Sequence, residues 1–572
     1  MGLETSLQWF VHSFEQGRAA IWLRRFLFVF IFLAAGAVWL LLKFNGFNDP
    51  DAMDQAQIGR QLASGQGYTT LYARPLALNR MLLRTGHVPA PLPDVSQAPL
   101  GPLLNAVAFR ITGVNFGVPQ RGFISSPEKI IALTGFLFFA GSVALTYLLA
   151  RRLFDPKLAL LGTGLVMVSF AMWRFSFSGL PQMAMLFFFT GSMLSTVAAM
   201  EARAAGRRRR AVLLVALAAF LLGLVALGHG IGLCIFAGFW IFATAAIRPR
   251  LLVAPIVAAA GILPVLPWAL LNWRALRNPF GLPFYELCRP PGIGRLEFLA
   301  DFEPLLRFRW TNLIQNTATH AMNQAADFFS CMGGNVVAVA FFLAVILHGY
   351  RHWLPAQFRW CILLMWLGAA SGMSVFGVEG TFSAGQLHVL FLPVMVIYGL
   401  GFLLALWDRL GLDQPMLRGT FLAMLYLIVG APLLLGFIAN PKRMNWPPYL
   451  PPLVHHFADW LSPGEALASD IPWATAWYAG RTSLLLPQNI GQFELIHREQ
   501  LLGGPLVAIY LTPFSGDQRA YADIVNGRYR EWARFVLHEV KPADLRGWVL
   551  TTAVALPLDG EAMFYADRPR WQ

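Results

Sequence analysis

Hydrophobic residues in this chain arrive in long unbroken runs, not in the one-faced patterns of a soluble fold. Runs of about 18–22 residues can cross a hydrocarbon core of about 30 Å. About eleven are present, near 22–43, 128–150, 156–173, 180–200, 211–228, 231–247, 251–271, 333–350, 360–377, 386–406 and 418–437. The pattern predicts an α-helical polytopic membrane protein. Basic residues then set its orientation, because short cytoplasmic loops are enriched in Lys and Arg. Arg24 and Arg25 precede the apolar stretch Phe26 to Leu42 of the first span. Arg151 and Arg152, Arg207 to Arg210, Arg248 and Arg250, Arg351, and Arg409 and Arg418 fall on the same side by this count. The N terminus is then cytoplasmic, and three long segments lie outside: 44–127, 272–332 and everything after 437.

The first run is too long for a signal-peptide core and has no small-residue cleavage site behind it, so it reads as a span. Ahead of it, Leu3, Leu7, Phe10 and Phe14 recur at helical spacing. They fit either a helix lying flat on the cytoplasmic surface or a frayed polar tail. The first outer segment opens with a readable helix. Asp49 is a capping residue and Pro50 suits the first helical position, while Gly65 reads as the stop. Ala52, Ala56, Gly59 and Ala63 form a small-residue stripe suited to close packing against a span, and the helix is expected to lie at the outer membrane surface.

The tail differs in kind. Pro441, Pro447, Pro448, Pro451 and Pro452 mark a linker. Short apolar strands (466–469, 483–486, 506–511, 548–554) then alternate with helical stretches (473–479, 491–501, 518–538). That alternation predicts a small extracytoplasmic α/β domain with a partly parallel sheet. The chain divides into a membrane domain, 1–437, and this domain, 438–572. The tail has no glycine-rich nucleotide fingerprint, which makes it accessory and not catalytic.

Composition agrees. The chain is 57% hydrophobic and 13% charged, against about 25% charged in soluble domains. Its net charge of +14 does not imply nucleic-acid binding, because the basic residues flank apolar runs. The 19 Trp residues suit interfacial anchoring. Four cysteines are too few for a disulfide framework. Cys234 and Cys361 read as core thiols, and Cys288 and Cys331 share one outer segment and are the one pair that could bridge.

Candidate chemistry lies in the outer segments. Asp51 sits at a helix start, where the dipole favours a carboxylate. Such a group can orient an incoming hydroxyl or amine and accept its proton; a plain first-turn aspartate is the simpler alternative. Arg74, Arg80 and Arg289 belong to a set of outer arginines whose forked guanidinium groups match phosphate oxygens. Acidic lipid headgroups are the alternative partner for any one of them. His229, His320 and His388 all fall near the outer side, without the spacing of a metal site, and His229 and His320 read as hydrogen-bonded structural histidines.

The stretch from Asn48 to Thr70 resembles the first outer loop of bacterial family 39-type glycosyltransferases of the GT-C superfamily, related to protein O-mannosyltransferases and to the aminoarabinose transferase of lipid A. The resemblance implies a GT-C fold in a bacterial inner membrane and a polyprenyl-phosphate sugar donor. It further implies a protein, lipid or glycan acceptor outside the cytoplasm, and inverting single displacement. It maps the catalytic aspartate onto Asp51, with Asp54 a second acid beside it. Asn278-Pro279-Phe280-Gly281 is similar to a short motif of these proteins. His388, after Gln386 and Leu387, stands where the family has a basic residue facing the donor phosphate. Members often carry another acid near the outer end of the fourth span, where this chain has Gly179-Leu180-Pro181-Gln182. Glu379 is one candidate to replace it, for acceptor or metal binding, with an ordinary solvated loop glutamate as the alternative; a divalent cation is a candidate cofactor. The rival readings are a transporter or lipid flippase, against which the absence of internal repeats speaks, and a non-catalytic assembly subunit.

Overall fold

The computed structural model describes all residues except 1–17, 118–123, 305, 379, 412–413, 440–450, 513–524, 541–543, 546–547, 557–561 and 572. The proposed N-terminal surface helix, Glu379 and the first third of the 518–538 stretch therefore lie outside the described residues.

A helix occupies every stretch read as a span, from Arg18–Leu42 to Pro415–Ile438. Among the described residues, 6 helices are long and apolar enough to cross a membrane, or up to 9 if each bent pair is one span. The bends have local causes. Leu263-Pro264 separates Arg250–Ile262 from Leu266–Leu276, which meet at 61°; proline cannot continue the ladder of helical hydrogen bonds. Gly333 and Gly334, both with positive φ, turn the chain by 118° between Trp310–Cys331 and Val336–Leu347. The Asn335 side chain then caps the second helix by accepting from the Val337 and Ala338 amides. Large apolar side chains such as Leu251, Ile346 and Met416 point outward, an arrangement suited to hydrocarbon. Small residues let helices touch: a Cβ on Gly368 would stand 2.2 Å from the Cys234 carbonyl oxygen.

The long loops hold more helix than the sequence pattern predicts. The first contains Pro75–Thr85 and Leu100–Thr112, and the second contains Trp310–Cys331. The Pro50–Ala63 helix begins and ends where its caps predict, with the Asp49 side chain accepting from the Asp51 amide. It does not lie on a surface. Residues 52–59 are all buried, and the small stripe packs on Leu100–Thr112, where a Gly59 Cβ would approach Asn105 Cβ to 2.7 Å. All four cysteines are free; the buried Cys331 thiol instead accepts from Gln386 Nε2 at 3.0 Å.

The tail builds a six-stranded sheet: β1 Tyr72–Ala73, β2 Ala466–Ser469, β3 Thr482–Leu485, β4 Leu506–Leu511, β5 Thr552–Ala555 and β6 Met563–Ala566, in the order β1-β3-β2-β4-β6-β5. The first four strands in that order run parallel, and β4-β6-β5 is antiparallel. β1 comes from the first long loop. Further contacts fasten the tail to the rest. Arg60 donates to the Ala476 and Trp477 carbonyls at 2.7 and 2.9 Å. Buried Glu128, in the first turn of Ser126–Leu153, accepts from Trp477 Nε1 at 3.0 Å and Tyr478 Oη at 2.7 Å. Gln488 Nε2 reaches the Glu297 carbonyl in the second loop at 2.7 Å. Both long loops and the tail thus pack together at one end of the helices.

Candidate active site

A cavity of about 640 Å³ opens where the first loop, the second loop and the turns at 228–231 and 377–385 converge. Its wall is largely apolar, with Trp268, Phe280, Phe284 and Phe376 among the lining side chains. The charged residues on it are Asp51, Glu286, Arg289 and Arg295, joined by His229 and His320. A mostly apolar pocket with a few convergent polar groups is the usual form of a small-molecule site.

Each polar group has a local reason for its place. Asp51 stands in the first turn of its helix, where exposed backbone N–H groups favour an anion. Its Oδ1 accepts from Gln97 Nε2 at 2.8 Å, and no protein group among the described residues hydrogen-bonds Oδ2. The Asn278-Pro279-Phe280-Gly281 turn positions the second loop. Asn278 Oδ1 accepts from the Phe280 amide at 3.0 Å, and Leu282 N donates to the Val95 carbonyl at 2.8 Å. Gly281 has φ +69, and a Cβ there would stand 2.4 Å from that carbonyl oxygen, so close approach and conformation both require glycine. Glu286 pairs with Arg295 Nε at 2.9 Å. His229 Nδ1 accepts from the Ile231 amide at 3.3 Å, which leaves the proton of the neutral ring on Nε2. Burial first, and Arg295 second, push the His229 ring down to about 4, so it stays neutral near pH 7. His320 has the opposite arrangement: its Nδ1 lies 3.0 Å from the Ser374 carbonyl oxygen and donates to it. The Trp268 indole N–H is buried and has no hydrogen-bond partner among the described residues.

Of the residues picked from sequence, the fold brings Asp51, His229, Arg289 and His320 to this cavity. Asp54 lies beneath it, 1% exposed. Gln57 Nε2 donates to its Oδ1 at 3.0 Å, Gln97 Nε2 to its Oδ2 at 2.8 Å, and Arg74 forms an ion pair with it. Arg74 is likewise turned inward, between Asp54 and Asp94 (3.6 Å) and over the Tyr72 ring. Its guanidinium is committed to carboxylates and does not line the cavity. Arg80 is off the cavity wall too, 5.6 Å from the Tyr285 ring centroid. His388 is 1% exposed and packed between Phe328 and Trp366, its Nδ1 accepting from Trp366 Nε1 at 3.2 Å. Gln182, at the place of the missing second acid, donates to the Ser383 and Ala384 carbonyls behind the cavity wall. Among the described residues no three His, Cys, Asp or Glu side chains converge as a metal site; Glu286 is already paired with Arg295.

Sequence reasoning missed Gln97, Trp268 and Arg295 as site residues. Gln97 is neutral and 46 positions from its partner, so no spacing marks it. Arg295 was one of many loop arginines, and its selection needed the fold.

No protein-family model and no curated protein matches the sequence. Solved structures do match. The chain is similar to ArnT from Cupriavidus metallidurans bound to undecaprenyl phosphate, with 12% identity and a TM-score of 0.55, covering 95% of this chain and 98% of that one. It is similar to the oligosaccharyltransferase AglB from Archaeoglobus fulgidus in complex with an inhibitory peptide and a dolichol-phosphate, with 14% identity and a TM-score of 0.52, covering 96% and 75%. A structure of the Archaeoglobus fulgidus oligosaccharyltransferase with Zn and sulfate matches with 16% identity and a TM-score of 0.53, covering 88% and 71%. The chain has the GT-C fold, as the first-loop resemblance implied.

Proposed function

We propose that this chain is a membrane glycosyltransferase that moves a sugar from a polyprenyl-phosphate donor to an extracytoplasmic acceptor by single displacement with inversion. The observation that carries the reading is Asp51, held through one oxygen with the other unpartnered, on a cavity wall that also bears Arg289. The lipid phosphates bound by the structural neighbours supply the donor class.

In this scheme the acceptor hydroxyl or amine lies against Asp51 Oδ2. Its lone pair forms the new bond to the anomeric carbon as the bond from that carbon to the phosphate oxygen breaks. The bonding pair leaves on the phosphate, and the acceptor proton passes to Asp51. Arg289 meets the charge that develops on the departing phosphate, and preorganised donors of this kind are the largest contributors to many transfer rates. Arg295, tethered by Glu286, adds positive potential without losing its own partner. The neutral His229 Nε2–H and the Trp268 N–H suit sugar hydroxyls, because they donate without adding charge. Among the described residues no three His, Cys, Asp or Glu side chains converge on a metal, and no step here runs through one.

The test is transfer from a polyprenyl-phosphate sugar by purified full-length protein, comparing wild type with Asp51→Asn. General-base and orientation effects of this kind are worth about 10²–10⁴-fold, and a loss in that range is expected. Undiminished transfer by Asp51→Asn removes Asp51 from the mechanism; movement of a labelled lipid with no glycosidic bond formed points to a flippase instead.

A further inference from the structure

We infer that Gln97 is the positioning residue for Asp51: its side-chain amide is wedged between the Asp51 and Asp54 carboxylates and fixes which oxygen of Asp51 faces the cavity. The inference rests on the proposed transfer at Asp51 and deepens it.

The geometry is unusually complete. Gln97 Nε2 has two hydrogens and two acceptors, Asp51 Oδ1 at 2.8 Å and Asp54 Oδ2 at 2.8 Å. Gln97 Oε1 accepts from Gln55 Nε2 at 3.3 Å. Its backbone is tied as well: the amide donates to Asp94 Oδ2 at 2.8 Å and the carbonyl accepts from Tyr68 Oη at 2.8 Å. Every polar group of the residue has a partner, and its side chain has no freedom to swing away. Asp54 is the fixed end of the clamp, because it is buried and anchored by Gln57 and Arg74. Asp51 is the working end, since it alone of the pair reaches the cavity.

The choice of an amide has a chemical reason. Two carboxylates that share a neighbour repel, and a cation between them would neutralise the one that must accept a proton. A neutral NH₂ bridges both and leaves Asp51 its charge. It also occupies Oδ1, so that the acceptor meets Oδ2. Gly101 leaves room for this arrangement: a Cβ there would stand 1.9 Å from Gln55 Oε1.

The experiment is a double-mutant cycle on the full-length protein in detergent, with a polyprenyl-phosphate sugar as donor. Gln97→Met keeps the length and removes both donors. A small misplacement of a catalytic group costs on the order of 10²-fold, so kcat should fall about 10–100-fold with KM for the lipid donor nearly unchanged. The double variant Asp51→Asn/Gln97→Met should be no slower than Asp51→Asn, because Gln97 acts only through Asp51. Size exclusion and melting establish that the variants are folded. If Gln97→Met does not fold, Gln97→Asn, one methylene too short to span both carboxylates, is expected to show the same kcat loss. A folded variant with unchanged kcat, or losses that multiply in the double variant, overturns the inference while an inactive Asp51→Asn leaves the functional reading standing. A fully active Asp51→Asn removes both.

Discussion

Removing the Arg74 guanidinium separates a structural role from a phosphate-binding one. Arg74 is 5% exposed and faces two carboxylates, Asp54 and Asp94, that are 1% and 0% exposed. Replacing it by Met, which roughly keeps the volume, leaves both acids buried with no cation. Breaking a buried ion pair from one side costs about 3–5 kcal/mol. The folded protein can limit that loss by holding a proton. Asp94 is the group that takes it: burial, and then the nearby Asp54 charge, push its carboxyl up to about 7 even with Arg74 present. The sign follows directly. A carboxyl whose folded value lies above its unfolded value of about 3.9 contributes stability that is full below that value and fades as pH rises toward the folded one. In the wild type the fading ends near pH 7. Without Arg74 the folded value moves higher, so the loss continues above pH 7 at up to about 1.4 kcal/mol per pH unit. The assay is thermal unfolding of purified full-length protein at pH 6, 7 and 8, at one scan rate, followed by tryptophan fluorescence. Arg74→Met should melt several degrees lower than wild type, and the gap should widen from pH 6 to pH 8. A variant that melts with the wild type at every pH, yet shows a many-fold higher KM for the lipid donor, refutes the buried-anchor account and returns Arg74 to the phosphate.

Two further outcomes follow from the contacts. Glu128→Leu strips the acceptor from Trp477 Nε1 and Tyr478 Oη. Leaving each buried donor unsatisfied costs about 1–3 kcal/mol, so hydrogen exchange in 472–486 should accelerate strongly, whereas Glu128→Gln, which keeps an acceptor oxygen there, should change it little; equal protection in Glu128→Leu would sink the latch. His229 is held near 4 against an ordinary 6.5, so its contribution to stability is full above 6.5 and disappears as pH falls toward 4. Unfolding curves of wild type and His229→Asn should therefore converge across that window, and a constant gap would contradict a neutral His229.

The helical framework was legible because the membrane imposes one strong rule, a long apolar run for each crossing. The rule breaks down where the chain turns inside its own fold. The stretch read as a span at 333–350 yields only the 12-residue helix Val336–Leu347, because Gly333 and Gly334 bend the chain sharply before it. The caps of Pro50–Ala63 were readable, since capping is local chemistry, but its surroundings were not. Asp54 and Gln57 look like the polar face of a surface helix and are in fact buried, each satisfied by groups from elsewhere in the loop. Polarity alone cannot distinguish a residue facing water from one facing a buried partner. The same ambiguity made Arg74 resemble a ligand-binding group, whereas His388 drew that reading from the family resemblance alone.

Asp51 shares that ambiguity in sequence, where it reads equally as a plain first-turn aspartate; the fold places it on the cavity wall, and the pieces around it come from segments with no sequence relation. Gln97 arrives through the Asp94 turn, which the Leu282 amide ties to the second loop at Val95. That second loop brings Arg289 and the Glu286–Arg295 pair. The first loop is in turn pinned to the tail, through β1 on β3 and through Arg60 on the Ala476 and Trp477 carbonyls. The tail thus packs on the loop that carries Gln97, and none of its described residues lines the cavity. A tail detached from β1 would strip the strand partner of Tyr72 and Ala73 and the carbonyls that hold Arg60, while Asp54 and Arg74 would keep their partners within the loop.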